Sequence, residues 1–146
     1  MTFREMEFRD IGACFAVRAS VRENPFSREA LARAGITEES VAAMLATTHR
    51  GWVCECDPGV VGFSMANRVT GELWVIAVRP EYEGRGIGTQ LMQRAVQWLQ
   101  AAGEVEAWLV TSQDTSTRAY AFYRKAGWTD DGVCDGQRLM KLRKSC

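Results

Sequence analysis

Residues 72–91 read ELWVIAVRPEYEGRGIGTQL, and a strand, a stop, a loop and a helix follow one another in that order. The segment 72–78 is apolar on both faces of the pleat, which predicts a strand in the middle of a sheet. Pro80 ends this strand, because proline cannot donate a hydrogen bond to a neighbouring strand. The segment 83–88 then has glycine at every second position, and an amphipathic helix begins beside it.

The loop EGRGIG at 83–88 has the features of an anion-binding segment. Gly84, Gly86 and Gly88 allow backbone conformations that a side chain forbids, and they let N–H groups come close to a ligand. The helix that follows brings the positive end of its dipole to the same point. Together these features favour a bound pyrophosphate. The competing interpretation is that the glycines form only a tight strand-to-helix turn.

Two other nucleotide-binding patterns can be compared with this loop. The phosphate loop of NTPases requires Gly-Lys followed by Ser or Thr, and Gly88-Thr89 lacks the lysine. The dinucleotide fingerprint requires its third glycine where Thr89 stands, within an opening strand-helix-strand unit. A nucleotide-dependent enzyme is therefore a weaker hypothesis than a protein that binds another phosphorylated cofactor.

Length and charge limit the classes of protein and partner. The 146 residues predict a single domain spanning positions 1–146. With 18 Lys and Arg against 18 Asp and Glu, the net charge is zero, so we expect neither nucleic acid nor a membrane as a partner. The first residues resemble no secretion signal, and no apolar run approaches the ~20 residues that span a bilayer. A cytoplasmic location is expected.

The cysteines predict neither a disulfide framework nor a metal site. There are five of them, and none has the Cys-x-x-Cys spacing of a structural zinc site. The chain also has a single histidine, His49, so we expect reduced thiols and no metal. Cys54 and Cys56 should share one strand face as small core residues.

The order of predicted elements is β-α-α-β-β-β-α-β-α-β-β, which is typical of an α+β domain with a mixed sheet. The second helical region, 27–48, is interrupted at Ala34-Gly35 and restarts with Thr37 as N-cap. Asp57-Pro58-Gly59 and Asp135-Gly136 predict hairpin turns. The other predicted strands cover about 3–8, 51–56, 60–67, 72–78 and 104–111, with two more after Gly127, and the other helices cover about 10–21, 88–102 and 116–126.

This order, the 83–88 loop and the later segment AYAFYRKAGW at 119–128 resemble the GNAT superfamily of N-acetyltransferases. The family's Arg/Gln-x-x-Gly-x-Gly loop and its Ala-x-x-Phe-Tyr-x-x-x-Gly-aromatic segment are both present in order. The resemblance implies a three-layer fold, in which a twisted, mostly antiparallel mixed sheet has helices on both faces. It also implies acetyl-coenzyme A as cosubstrate, a primary amine as acceptor, and a homodimer as a possible assembly.

The resemblance places the coenzyme between two splayed parallel strands that end at Val78 and Thr111. It implies that main-chain groups of Ile76, Ala77 and Val78 pair with the pantetheine arm. It further implies that the pyrophosphate is held by N–H groups of the loop and helix start, with the Arg85 guanidinium nearby. The residues of this second group are Arg85, Gly86, Ile87, Gly88 and Thr89.

Two positions depart from the family pattern. Glu83 stands where the family most often has Arg or Gln, and a carboxylate near phosphates is mildly unfavourable. Because the loop acts mainly through its backbone, we expect this change to tune affinity. Ser116 stands where many relatives have an asparagine that reaches the pantetheine, and it can serve instead as a helix N-cap.

Two side chains are the candidates for proton transfer. Tyr123 matches the family's tyrosine that protonates or hydrogen-bonds the coenzyme sulfur, and a phenol stays protonated at neutral pH. The alternative is an aromatic core residue. Glu72 matches the glutamate that acts as base through water, and strand alternation predicts that it shares a face with Trp74, Ile76 and Val78. The alternative for Glu72 is a solvated strand end, and His49, in a turn-like segment, ranks third.

The acceptor should be bound by the first two helices, the loop between them and the late hairpin. The alternative is that most charged residues there lie on a solvated face. The candidate lining residues are Arg18, Arg22, Glu23, Asn24, Phe26 and Trp52. Trp74 and Trp108 are better explained as strand core residues. A small-molecule amine is favoured over a protein terminus or lysine side chain, because no docking region is added to the domain. The hypothesis from another class is a module that binds acyl-coenzyme A without turnover.

Overall fold

The computed structural model describes residues 1–23, 25–57, 59–103 and 106–142. Its helices are α1 (Ile11–Ser20), α2 (Arg28–Arg33), α3 (Glu38–Thr47), α4 (Ile87–Ala101) and α5 (Arg118–Lys125). Its strands are β1 (Thr2–Glu5), β2 (His49–Cys56), β3 (Gly59–Asn67), β4 (Glu72–Val78), β5 (Ala107–Ser112), β6 (Thr129–Cys134) and β7 (Gln137–Leu142). Short 3-10 turns cover Phe8–Asp10 and Pro80–Tyr82.

The seven strands form one sheet in the order β1-β2-β3-β4-β5-β7-β6. All neighbouring pairs are antiparallel except β4 and β5, which run parallel. This order puts β4 in the middle of the sheet, as its apolar sequence predicted. The α+β class and the mixed, mostly antiparallel sheet are confirmed.

Apolar clusters on the two faces of the sheet define three layers. The first cluster joins the sheet to α4 and α5 and contains the fully buried Leu91, Trp128 and Met140. The second joins the sheet to α1 and α3 and contains Phe15 and Val41. Helices therefore cover both faces, as the family resemblance implied, and the space between β4 and β5 lies where the two halves of the sheet meet.

Local signals account for most element ends. Thr37 caps α3 by accepting from the Ser40 N–H at 3.1 Å, so the second helical region divides into α2 and α3. The prediction of a strand as far as Phe8 was wrong beyond Glu5. Asp10 explains this early end, because its carboxylate accepts from the Glu7 N–H and two guanidinium nitrogens of Arg4, which closes a turn.

Other predictions can be compared directly with the structure. The β2–β3 hairpin is confirmed by pairing of Cys56 with Gly59, whereas Pro58 lies outside the described residues. The predicted start of β5 at positions 104 and 105 also lies outside them. His49 was predicted to lie in a turn-like segment, and this was wrong. It begins β2 opposite Asn67 and is half-buried.

The four cysteines in the described segments are free thiols. Cys54 is buried and Cys56 packs beside it on the α4 side, as predicted for small core residues. Burial raises the pKa of Cys14 to about 12 and that of Cys54 to about 11, so both are unreactive at neutral pH. In the described part of the chain, no helix has the length and apolar character needed to cross a bilayer.

A candidate active-site cleft between two diverging strands

The strands β4 and β5 are paired at one end only. Glu72 lies opposite Trp108, and the Trp108 N–H donates to the Gly71 carbonyl at 3.1 Å. Beyond this point the described residues of the two strands show no further pairing with each other. On their outer sides both stay paired along their length, β5 with β7 and β4 with β3 apart from one irregularity. The inner edges are therefore left open, and they face each other across a wedge-shaped gap.

A β-bulge in β4 sets the direction of the strand along this gap. Met65 pairs with Val75 and Ala66 pairs with Leu73, so Trp74 is an extra residue on β4. A bulge bends its strand and shifts the following side chains to the opposite face. Leu73 accordingly packs on the α4 side, whereas Trp74 and Val75 both pack on the α1 side.

The bulge corrects one prediction about Glu72. Because alternation is interrupted at Trp74, Glu72 shares its face with Trp74, while Ile76 and Val78 pack on the α4 side. The predicted face shared by all four residues was therefore wrong. Although β4 is apolar on both faces, most of its residues are only partly buried. Only Leu73 and Ala77 are buried, because the cleft exposes the others.

The glycine loop has the backbone that an anion site requires. Gly84 and Gly86 have φ of 77° and 80°, the left-handed region that glycine tolerates. Gly86 is the N-cap of α4, and its carbonyl accepts from the Gln90 N–H at 3.1 Å. The N–H groups that precede Gln90 in the first turn have no acceptor within the helix. They lie at the positive end of a helix of 15 residues.

The gap and the loop belong to one cavity of about 1150 Å³. At one end, the cavity is bordered by the glycine loop and the first turn of α4. At the other end, it is walled by α1, the segments flanking α2, and the α1 side of the sheet. The predicted site residues among those lining it are Glu72, Ile76, Ala77, Val78, Gly86, Ile87, Gly88, Thr89 and Tyr123.

Tyr123 lies on α5 and lines the cavity beside Phe122. Its ring makes edge contacts with Phe122 and Trp128, with centroid distances of 5.4 and 6.1 Å, so the packing fixes its position. Burial raises the pKa of Tyr123 to about 12, although the positive charge of Arg18 acts in the opposite direction. The phenol is therefore protonated at neutral pH and can act as a hydrogen-bond donor.

Glu72 lines the cavity at the closed end of the gap, and Trp74 lines it on the same face of β4. Burial raises the pKa of the Glu72 carboxyl above its usual value, because a partly buried carboxylate loses hydration. His49 packs edge-on against Trp74 at 5.4 Å and is not among the residues lining the cavity. Burial lowers its pKa.

Some predicted residues lie away from the cavity wall. The Arg85 guanidinium stacks on Tyr82, 4.9 Å from the ring centroid, and donates to the Glu81 carbonyl at 3.4 Å. Ser116 donates its hydroxyl to Asp114 at 2.7 Å, and Thr117 rather than Ser116 caps α5. The expected Ser116 N-cap was therefore wrong, because Thr117 has the extended backbone of a cap residue and accepts from the Tyr120 N–H.

The end of the cavity bordered by α1 and the segments flanking α2 is called the acceptor end. It contains most of the residues that were predicted to bind the acceptor. Arg18, Arg22, Glu23 and Phe26 line the cavity, and the Arg18 guanidinium lies 4.7 Å from the Phe26 ring centroid. Asn24 lies outside the described residues. Trp52 was a wrong candidate: it is buried on the α4 side, with its ring 5.7 Å from that of Trp98.

Sequence reasoning missed Arg118, the first residue of α5. It lines the cavity and forms an ion pair with Glu83 of the glycine loop. The available signal was its position directly before Ala119, at the start of the segment that resembles the family. The sequence offered no means of pairing it with Glu83, which lies 35 positions earlier.

The chain is similar in sequence to known proteins of one family. The sequence model described as "Acetyltransferase (GNAT) family" matches residues 14–128. An N-acetyltransferase of Methanocaldococcus jannaschii, described as uncharacterized, is 30% identical over 103 residues. That alignment covers 63% of this chain and 44% of the relative, so the chain spans less than half of the relative's length.

Solved structures show the same fold. The PaiA N-acetyltransferase of Thermoplasma acidophilum, in complex with coenzyme A, superposes with a TM-score of 0.82 at 18% identity, covering 99% of this chain and 100% of that one. The ribosomal-protein-S18-alanine N-acetyltransferase of Escherichia coli gives 0.73 at 18% identity, covering 99% and 96%. With the family model matching most of its length, the chain belongs to the Acetyltransferase (GNAT) family.

Proposed function

We propose that this protein transfers the acetyl group of acetyl-coenzyme A to a primary amine of a small molecule, by direct attack within a ternary complex. The observation that carries this proposal is the pair of open strand edges beside the glycine loop. An extended ligand with amide groups can add to an open edge as a further strand does. A diphosphate suits the adjacent N–H groups. The cleft therefore fits both parts of the coenzyme.

The binding roles follow from the elements that border the cleft. Main-chain groups of Ile76, Ala77 and Val78 hold the pantetheine arm along β4. The N–H groups of Gly86, Ile87, Gly88 and Thr89 hold the diphosphate. Arg85, at the rim of the loop, supplies further positive charge. Ser116 lies next to Thr117, the N-cap of α5, and contributes only a minor contact to the pantetheine.

Tyr123 acts on the leaving sulfur in this proposal. When bound, acetyl-coenzyme A supplies a thioester whose sulfur departs as a thiolate, and a thiol has a reference pKa of ~8.5. The pKa of Tyr123 is about 12, so complete proton transfer from the phenol to the thiolate is uphill. Tyr123 therefore stabilises the thiolate as a hydrogen-bond donor. The Arg18 charge favours any partial negative charge that develops on the phenol oxygen.

Glu72 acts as the base for the incoming amine in this proposal. An ammonium ion cannot attack a carbonyl, so the acceptor must lose a proton first. Glu72 lies on the face of β4 that carries Trp74 and lines the acceptor end of the cavity. Its raised pKa makes the carboxylate a better proton acceptor than an exposed glutamate.

Glu72→Gln should separate catalysis from stability. A carboxyl whose pKa is raised in the folded protein stabilises the fold only while it is protonated, and this contribution is lost as pH rises through the folded pKa. The substitution should therefore raise the melting temperature at neutral pH and change it little in acid. The value of kcat should fall by roughly 100-fold. Melting curves at several pH values and steady-state rates measure both. A lower melting temperature would indicate a structural role.

The acceptor end favours a compact amine. It is bordered by apolar side chains of α1, α3 and the sheet, including Ile11, Phe15 and Val41. Such walls bind a small apolar group better than a solvated peptide. The alternative is a protein N-terminus or lysine, and structural neighbours include an enzyme named for ribosomal-protein alanine and a chimera named for spermidine. A homodimer remains a prediction from the family resemblance.

Measuring coenzyme A release with a panel of amines tests the proposed function. The panel should contain amino acids, polyamines, arylalkylamines, and peptides with free N-termini or lysines. Release above the hydrolysis rate with a small amine supports the proposal, whereas release with peptides alone supports the protein-directed alternative. Binding of acetyl-coenzyme A without release on any amine would identify the chain as a non-catalytic binding module.

A further inference from the structure

Arg118 is held by two carboxylates at the mouth of the cleft. Its guanidinium pairs with Glu83 of the glycine loop, and its main-chain N–H donates to Glu23 Oε1 at 2.8 Å. All three residues line the cavity, and they come from three different segments of the chain. The ion pair joins the loop before α4 to the first turn of α5, so it crosses the side of the gap nearest the expected diphosphate.

Glu83 places a negative charge in a loop suited to an anion. Its side chain is 24% exposed, and among the described residues Arg118 is the cation that pairs with it. A carboxylate in this position repels phosphate oxygens, and the repulsion is felt more strongly where water is partly excluded. The Arg118 side chain is 62% exposed, and its guanidinium is carried on a long flexible stem. The guanidinium can therefore turn towards a ligand while Glu23 holds the Arg118 main chain in place.

A phosphate and a carboxylate compete for the same donors of a guanidinium. Arginine binds both in a two-pronged geometry, and a phosphate group offers more acceptor oxygens and more negative charge. We infer that Arg118 is a coenzyme-binding residue that exchanges Glu83 for a phosphate of the coenzyme. This inference rests on the proposed function. Glu83 holds the arginine in the free protein and acts as an internal competitor that weakens coenzyme binding.

Calorimetric titration with coenzyme A, which requires no turnover, tests this inference. Arg118→Gln should weaken binding by about 10-fold, the loss typical of one charge-assisted hydrogen bond. Glu83→Gln should have the opposite effect and tighten coenzyme A binding by roughly fivefold, because it removes the carboxylate that competes for Arg118 and repels the phosphates. The double variant should bind more weakly than Glu83→Gln alone. In steady-state assays, the coenzyme KM should change with kcat preserved.

Opposite effects of the two single substitutions on coenzyme A affinity distinguish this exchange from an ion pair that stays formed when the coenzyme is bound. If both substitutions weaken binding, the ion pair stays closed over the coenzyme and the inference is wrong. An unchanged affinity of Arg118→Gln would also overturn it. If wild type does not bind coenzyme A, the proposed function fails together with the inference, whereas wild-type binding with the wrong signs removes the inference alone.

Arg28→Gln is the matched control. Arg28, at the start of α2, pairs with Glu38 at 3.4 Å, and both side chains are about half exposed. Removing this arginine changes the net charge by the same amount as Arg118→Gln, away from the glycine loop, so coenzyme affinity should stay at the wild-type value. Arg118→Lys keeps the charge and loses the two-pronged geometry, so we expect an affinity between those of wild type and Arg118→Gln.

Discussion

Replacing Tyr123 with phenylalanine should lower kcat by about 100-fold, the effect of removing one preorganised donor at a developing negative charge. The ring keeps its contacts with Phe122 and Trp128, so the packing of α5 should be preserved. Because the lost hydroxyl acts on the departing sulfur, the affinity for coenzyme A should change little. Single-turnover measurements of coenzyme release, combined with calorimetry, separate the two quantities.

Tyr120→Phe is the control for this substitution. Tyr120 lies three positions earlier on α5, and its hydroxyl donates to Asp130 at 3.1 Å. It is not among the residues lining the cavity, so its loss should leave kcat unchanged. If Tyr123→Phe also retained the wild-type kcat, Tyr123 would be only a packing residue of the aromatic cluster.

Replacing Gly86 with valine should raise the Kd for coenzyme A by about 30-fold. At φ of 80°, a side chain forces the backbone out of the left-handed region or strains it by about 2 kcal/mol. Among the described residues, and leaving aside its two chain neighbours, nothing lies within 4 Å of the position that a Cβ would take, so the effect comes from the backbone rather than from a collision. The displaced N–H groups of the first turn of α4 must then be reordered when the coenzyme binds.

Gly132→Val is the comparison for backbone strain. Gly132 has φ of 100°, and no side chain or backbone that the structure describes, beyond its chain neighbours, lies within 4 Å of an added Cβ. It lies in β6, away from the glycine loop. This variant should lose stability in urea while retaining the wild-type affinity for coenzyme A. An unchanged Kd for Gly86→Val would show that the loop conformation is not needed for the ligand.

The backbone of the site could be predicted where local signals agree. Gly71 and Pro80 flank an apolar run, and the observed strand has the predicted bounds, Glu72–Val78. The glycine spacing predicted a loop and a helix start, which the structure has at Gly86 and Ile87. These features depend on conformational preferences of residues that are close in sequence, which can be recognised without knowing the packing.

The missed features depend on contacts between distant segments. The bulge at Trp74 arises from pairing with Met65 and Ala66, so strand alternation alone assigned Ile76 and Val78 to the wrong face. The pair of Glu83 and Arg118 similarly requires that the glycine loop and α5 border one cleft. The alternation of side chains along one strand cannot indicate a bulge, because pairing with the neighbouring strand determines where the bulge forms.

The structure of the complex with coenzyme A tests the central claim most directly. We predict that the diphosphate oxygens lie within about 3.2 Å of N–H groups of residues 86–89, and that the sulfur lies within about 3.5 Å of the Tyr123 hydroxyl. The pantetheine arm should follow the open edge of β4 at Ile76–Val78. A diphosphate bound outside the glycine loop, or a Tyr123 hydroxyl directed away from the sulfur, would contradict the account.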